Sequence, residues 1–209
     1  MAESLPPPPS IADLHKIGPE VHVLPRGAVV WRVYFRGGPH PTPWDAFRSY
    51  GPTGSRFDHH DPPAAVHPVK AILYGADLGT TCLAEVFQDP RVIDRRRHQP
   101  ALAAFRLAQD LALLDVTGAW PTRAGASMAI STGRRKRARD WSCAIYDAFP
   151  QLAGIRYGSS MDANRPAFAL YERAKPAIPA HALLDEPLSA PGLAVLLSRA
   201  AARFGYRVR

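Results

Sequence analysis

The chain has 209 residues, 46% of them hydrophobic, enough to bury one sizeable core, so a single domain is expected. A formal net charge of +8 and a pI near 9.9 point to anionic partners: nucleotides, phosphate, nucleic acid or an acidic protein. No apolar run approaches the roughly 20 residues that span a bilayer, the start MAESLPPPPS lacks the segments of a secretory signal, and no CxxC, HExxH or Cys/His array suggests a metal site.

In chain order, residues 1–20 read as a flexible, proline-rich lead-in, and 21–209 as the domain itself. Within 21–35, Val29, Trp31, Val33 and Phe35 alternate with Val30, Arg32 and Tyr34. That period of two predicts a strand with Arg32 on the face opposite Trp31. Residues 37–68 are rich in Gly, Pro, His and Asp and predict a long irregular region, with short strands at most around Arg56 and Phe57. His59, His60 and His67 fall there and read as solvent-exposed loop residues.

Residues 71–76 read as a buried strand, and a helix follows from Thr80 or Thr81 to Gln88 with a threonine N-cap. Leu83 and Phe87 are its inward side chains, and Glu85 is placed in its first two turns, close to free backbone N–H groups. Residues 102–107 and 111–116 predict two strands forming a hairpin around Gln109 and Asp110. Residues 133–149 predict an amphipathic helix with Ala138, Trp141, Ile145 and Phe149 inward, ended by Pro150. Its basic run Arg134 to Arg139 reads as a solvated face, with nucleic-acid binding as the alternative. Two further strands, 154–157 and 167–171, flank a Gly/Ser/Asp/Asn loop. Ser189 is expected to cap a last helix running to Phe204, with Leu193, Leu196, Leu197 and Phe204 on its apolar face. Cys82 and Cys143 read as reduced thiols of a cytoplasmic protein. Many short strands mixed with a few helices, without βαβ alternation, give an α+β class with mixed or antiparallel sheets. The GxGxxG and GxxxxGK[ST] nucleotide-binding loops are absent.

Five islands come in a set order: Trp31-Arg32, then Gly54-Ser55-Arg56-Phe57, Tyr74 at a strand end, Ala84-Glu85 on a helix, and Gly154-Ile155-Arg156-Tyr157-Gly158-Ser159-Ser160. Together they resemble the RES-domain family, over roughly residues 29–172. The resemblance implies a fold akin to the ADP-ribosyltransferase toxins and chemistry on NAD, cleaved by hydrolysis or phosphorolysis or used to modify a protein. It also implies a cognate antitoxin carrying a DNA-binding domain. NAD is then a substrate, with inorganic phosphate as the possible co-substrate, and no permanently bound cofactor or metal is implied.

The residue types suit that chemistry. Breaking the nicotinamide–ribose bond develops an oxocarbenium-like cation, which a carboxylate such as Glu85 stabilises. Arg32 and Arg56 suit a pyrophosphate because the planar guanidinium makes paired, charge-assisted bonds. Tyr74 offers a ring for nicotinamide. Ser159, aligned two positions after Tyr157, orients ribose or the attacking phosphate, and Ser160 and Asn164 assist. Two other classes stay open on the sequence: a basic nucleic-acid module using Arg134 to Arg139, and a catalytically silent domain that only binds a partner.

Overall fold

The computed structural model describes residues 5–209. Ser10 accepts a hydrogen bond from the Asp13 N–H at 3.1 Å and caps a short helix, α1 (Ile11–Ile17), inside the stretch expected to be an extended lead-in. Leu14 is fully buried, and the Trp141 and Trp120 indoles donate to the carbonyls of Pro6 and Gly18 at 2.8 and 2.9 Å. Leu5 and Leu14 thus tie this segment to the core, and of the described residues Leu5 to Pro9 are without regular structure before the Ser10 cap.

Strand β1 (Val21–Leu24) leads to β2 (Val29–Phe35), which alternates as its sequence requires: Val30, Arg32 and Tyr34 are buried and Trp31, Val33 and Phe35 face the other way. In the irregular region the short strands are β3 (Tyr50–Gly51) and β4 (Ala65–Val66), paired with each other; Arg56 and Phe57 lie in the turn between them. Then come β5 (Ile72–Ala76), helix α2 (Gly79–Val86), β6 (Val92–Ile93), β7 (Pro100–Arg106) and β8 (Leu111–Asp115). Two single-turn helices, α3 (Trp120–Arg123) and α4 (Ala129–Thr132), precede the long α5 (Arg135–Ala148). β9 (Gly154–Gly158), β10 (Pro166–Tyr171), β11 (Leu184–Pro187), α6 (Ala194–Phe204) and β12 (Arg207–Val208) follow. A 3₁₀ turn, Pro191–Leu193, separates Ser189 from α6, so the expected serine cap does not form. Gly205 ends α6 in the left-handed conformation at φ 67°.

Eight strands make one sheet in the order β1-β8-β9-β10-β5-β2-β7-β11, antiparallel except for the β8–β9 pair. The expected β7–β8 hairpin is absent. Val29 to Phe35 pairs with Arg106 to Pro100, and Val21 to Leu24 pairs with Leu114 to Leu111, in one continuous antiparallel register. The chain around Gln109 and Asp110 is a bend in this ribbon and not a reversal. The Asp110 carboxylate accepts the Arg26 N–H across it at 2.6 Å, and the Ala108 N–H goes to Ala177. The bend sends the two halves of the ribbon to opposite ends of the sheet, which curls around an inner core of Leu24, Val30, Leu73, Phe105, Leu113, Phe168 and Leu170.

Outside this curl, α5 covers one face with Ala138, Trp141, Ile145 and Phe149, as its spacing predicts. Trp120 meets Trp141 edge-on, ring centroids 6.2 Å apart, a geometry worth about 0.5–1.5 kcal/mol beyond area burial. Helix α2 packs with α6 through Leu83, Phe87, Leu197 and Ala200. Both cysteines are free thiols. The result is a single α+β domain, and none of its helices is long and apolar enough to cross a membrane.

Candidate active site

Strands β2 and β5 pair at one position, Trp31 opposite Ala76, and part beyond it. Gly75 allows that one close approach: a Cβ there would lie 2.6 Å from a Val30 methyl and 2.9 Å from the Trp31 carbonyl oxygen. Where the strands part, a cleft of about 820 Å³ opens. Arg32, Val33 and Phe35 line it from β2, Ile72 and Tyr74 from β5, Glu85 and Gln88 from the α2 end, Arg48 to Arg56 from the long loop, and Arg135, Tyr157 and Ser160 from beyond.

Among the described residues lining the cleft, Glu85 is the one carboxylate. It stands in the last turn of the eight-residue α2, not in the N-terminal field expected for it. The helix starts earlier than the threonines suggest because Gly79 lies flat on the Trp31 ring, where a Cβ would come within 3.0 Å. Leu78 occupies the N-cap without a side-chain bond, and Thr81 donates its hydroxyl to Asp162 at 2.6 Å instead. What orients Glu85 is Ser159. The Ser159 hydroxyl donates to Glu85 Oε1 at 2.5 Å and accepts the N–H groups of Met161 and Asp162 at 3.2 and 3.1 Å. With both acceptor positions filled, its single proton is directed at the carboxylate.

Four guanidinium groups, those of Arg32, Arg48, Arg56 and Arg135, line the same cleft as this acid. Arg32 is 8% exposed and donates through one nitrogen to the carbonyls of Trp44 and Ala46, at 2.6 and 2.8 Å, fastening the loop over the cleft. Burial pulls its pKa down to about 10, so it stays charged at neutral pH. Arg56 donates to the Gly133 carbonyl at 2.6 Å; burial and the nearby Arg135 lower its pKa while Glu85 raises it. Arg135 donates to the Gln88 side chain at 3.1 Å, and Gln88 donates to the Glu85 carbonyl at 2.7 Å. Arg135 is also the first residue of α5, so free helix N–H groups lie on the same rim. Burial raises the pKa of Tyr74, whose hydroxyl is enclosed without a hydrogen-bond partner among the described residues. Tyr157, its pKa raised by burial and then by Glu85, adds a second aromatic wall and packs on Phe57 at 4.8 Å.

The loop that carries Arg56 is held from beneath. Asp58 is fully buried; one oxygen accepts from Arg48, the Thr53 N–H and the Thr53 hydroxyl at 2.7–2.9 Å, and the other meets His60 Nδ1 at 2.5 Å. His60 Nε2 lies 3.0 Å from the Lys70 carbonyl. His59 is stacked among Tyr146, Tyr171 and His60, its Nε2 3.5 Å from Glu172. The expectation that His59 and His60 are solvent-exposed is therefore wrong: they are 0 and 2% exposed. Gly51 makes room for the His60 ring, which a Cβ would overlap at 2.4 Å. Among the described residues, no group of three His, Cys, Asp or Glu is arranged to hold a metal ion.

The cleft thus gathers Arg32, Arg56, Tyr74, Glu85 and Ser160, with Ser159 directly behind Glu85 and fully buried. Asn164 stands apart: it is exposed, in a left-handed turn at φ 62°, with its side chain against Gly158, and it does not line the cleft. Sequence reasoning missed Arg48, Arg135, Gln88 and Tyr157. Arg135 was hidden inside a basic run, although its place at a helix start next to a Ser/Thr/Gly segment was a usable signal.

The family model for the RES domain matches residues 29–191. The chain belongs to the RES-domain family. In the RES fold, a solved structure titled as the M. tuberculosis MbcT–MbcA toxin–antitoxin complex contains a similar chain, with a TM-score of 0.58 at 15% identity, covering 92% of this chain and 96% of that one. No curated protein matches the chain. The RES match ends before α6, so the last helix and β12 lie outside it.

Proposed function

We propose that this RES-domain chain is an NAD-consuming, toxin-type enzyme that cleaves the nicotinamide–ribose bond by hydrolysis or phosphorolysis. The observation that carries the reading is convergence: Glu85, oriented by a serine, faces the same cleft as Arg32, Arg56 and Tyr74. In this scheme the arginines grip the pyrophosphate, as paired guanidinium bonds to phosphate allow, and Tyr74 packs against nicotinamide. The C–N bond breaks with its electron pair leaving on nicotinamide. Glu85 stabilises the ribosyl cation, and water or inorganic phosphate adds to it, giving ADP-ribose or its 1-phosphate. Transfer to a protein side chain is the variant of the same chemistry. The excess of guanidinium over carboxylate in the cleft favours a polyanionic substrate.

By analogy with the toxin–antitoxin complex that contains the similar chain, the partner is a protein antitoxin, which in our reading carries a DNA-binding domain, and the site of action is the cytoplasm. The nucleic-acid reading loses support because the basic run does not form one free strip. Arg135 turns into the cleft, while Lys136 and Arg137 lie 3.9 and 3.3 Å from Asp140.

The test is nicotinamide release from NAD by the purified protein, with and without phosphate, the product being assigned by phosphorus NMR. Glu85→Gln is expected to lower turnover by about a thousandfold or more, the scale of losing a transition-state charge stabiliser. It should leave NAD binding and the fold intact. Protein that neither binds NAD nor releases nicotinamide ends this reading.

A further inference from the structure

We propose that Arg203 and Tyr206, which lie outside the family match, are positioning residues that hold the Ser159–Glu85 pair together; this role rests on the catalytic reading of Glu85 given above.

Both ends of the pair are tied to the C-terminal segment, one through α6 and the other through the chain just after it. On the serine side, Asp162 supplies one of the two N–H groups that fix the Ser159 hydroxyl. The Asp162 carboxylate is 1% exposed. Its oxygens accept from Arg203 of α6 at 2.5 Å and from Thr81 of α2 at 2.6 Å. Thr81 lies four residues before Glu85, hence on the same face of α2. One buried carboxylate therefore joins α2, the β9–β10 loop and α6. On the glutamate side, the Tyr206 hydroxyl donates to the carbonyl of Ala84, the residue before Glu85, at 3.1 Å.

The loop needs such a tie. Ala163 and Asn164 both adopt positive φ, 45° and 62°, a conformation that non-glycine residues hold only when their surroundings impose it. Without Arg203 the Asp162 carboxylate keeps one hydroxyl partner in a buried position, which drives it toward water. The Met161 and Asp162 N–H groups then leave Ser159, and its proton is no longer directed at Glu85. Arg203 is itself half exposed and is not among the residues that line the cleft, so it acts through this chain of contacts and not on substrate.

The test pairs kinetics with amide hydrogen exchange on the full chain. Arg203→Ala is expected to lower kcat for nicotinamide release by about tenfold to a hundredfold with KM for NAD within about twofold. Exchange should speed up across residues 159–165 and stay unchanged in α5. Arg203→Lys should recover much of the loss, and Tyr206→Phe, which keeps the packing, should lower kcat by about threefold. Arg199→Ala, exposed on the same helix, is the unaffected control. Wild-type kcat in Arg203→Ala, or unchanged exchange in 159–165, overturns the proposal. If Arg203→Ala does not fold, Arg203→Lys and Tyr206→Phe decide it by the same two readouts. If the wild-type protein releases no nicotinamide, the NAD reading fails, and the exchange measurement alone decides whether Arg203 braces the loop.

Discussion

Ser159 and Glu85, 74 positions apart in sequence, meet at 2.5 Å, and the serine has no other direction in which to send its proton. Ser159 is fully buried while its neighbour Ser160 lines the cleft. The two serines should therefore fail differently when changed. Ser159→Ala leaves Glu85 free to rotate and two N–H groups without their acceptor. Its kcat for nicotinamide release is expected to fall about tenfold to a hundredfold, or roughly 1.4–2.8 kcal/mol of transition-state stabilisation, with KM little changed. Ser160→Ala should chiefly raise KM, by a few-fold. Steady-state kinetics on both variants separates the roles, and equal effects on kcat would refute the division.

Arg135 offers the cleanest contrast within the basic run. It lines the cleft and bonds Gln88, whereas the next residue, Lys136, is exposed and 3.9 Å from Asp140. If NAD binds as proposed, loss of this cleft-facing guanidinium removes a charge-assisted bond worth about 1.5–3 kcal/mol. Arg135→Ala is accordingly expected to raise KM for NAD about tenfold or more and to leave the fold intact. Lys136→Ala should behave as wild type. Competition by DNA that depends equally on both residues would favour the nucleic-acid reading instead.

These residues show where sequence reasoning reaches and where it stops. The alternation of 29–35 and the 3.6-residue spacing of Ala138, Trp141 and Ile145 reflect local geometry repeated along one element, so both elements and their buried faces were legible. The β7–β8 bend was misread because Gln109 and Asp110 look like a local turn, and only the distant partners Arg26 and Ala177 make them a bend. His59 and His60 were misread for a related reason: Gly, Pro and Asp around them signal exposure, but the neighbouring Asp58 turns inward with them, and Glu172 and Tyr146 complete a buried polar setting from far along the chain. The family islands located Arg32, Arg56, Tyr74 and Glu85. They could not show that Ser159 is buried behind Glu85 and donates to it without lining the cleft itself.

That buried setting gives the fold an acid-sensitive side. Burial lowers the His59 pKa below its ordinary 6.5, so as pH falls the unfolded chain takes up the proton first. The contribution of His59 is fully present above about pH 6.5 and declines below it. Glu172, although burial opposes it, is held down to about 2 by His59, the Tyr146 hydroxyl and the Ala71 N–H; its contribution is present above about pH 4.5 and is lost as pH falls toward 2. His59 Nε2 approaches Glu172 only to 3.5 Å and neither ring nitrogen makes a formed hydrogen bond among the described residues, so an apolar ring of similar shape should be tolerated where His59 is neutral. His59→Phe is expected to flatten the upper limb, so that its stability relative to wild type is higher at pH 5.5 than at pH 8. Urea midpoints at the two pH values provide the check; a parallel loss at both would assign His59 a bonding role.

The segment before β1 should prove structural. Leu14 is fully buried, Leu5 is 5% exposed, and the backbone of Pro6 and Gly18 satisfies the two tryptophan N–H groups at the centre of the α5-facing core. Removing residues up to Ile17 would take Pro6 from the Trp141 indole and leave that donor unpaired, at about 1–3 kcal/mol, besides uncovering the tryptophan pair. Leu14→Ala alone is expected to cost about 2–5 kcal/mol, the range for emptying a buried leucine site. Deleting residues 1–17 should cost more, and should lower the thermal midpoint before it alters kcat, because α1 packs on α5 and none of its residues lines the cleft that holds Glu85. Calorimetry on both variants, with nicotinamide release measured below the transition, tests the order of these effects. A truncated protein with an unshifted midpoint would return this segment to the status of a lead-in.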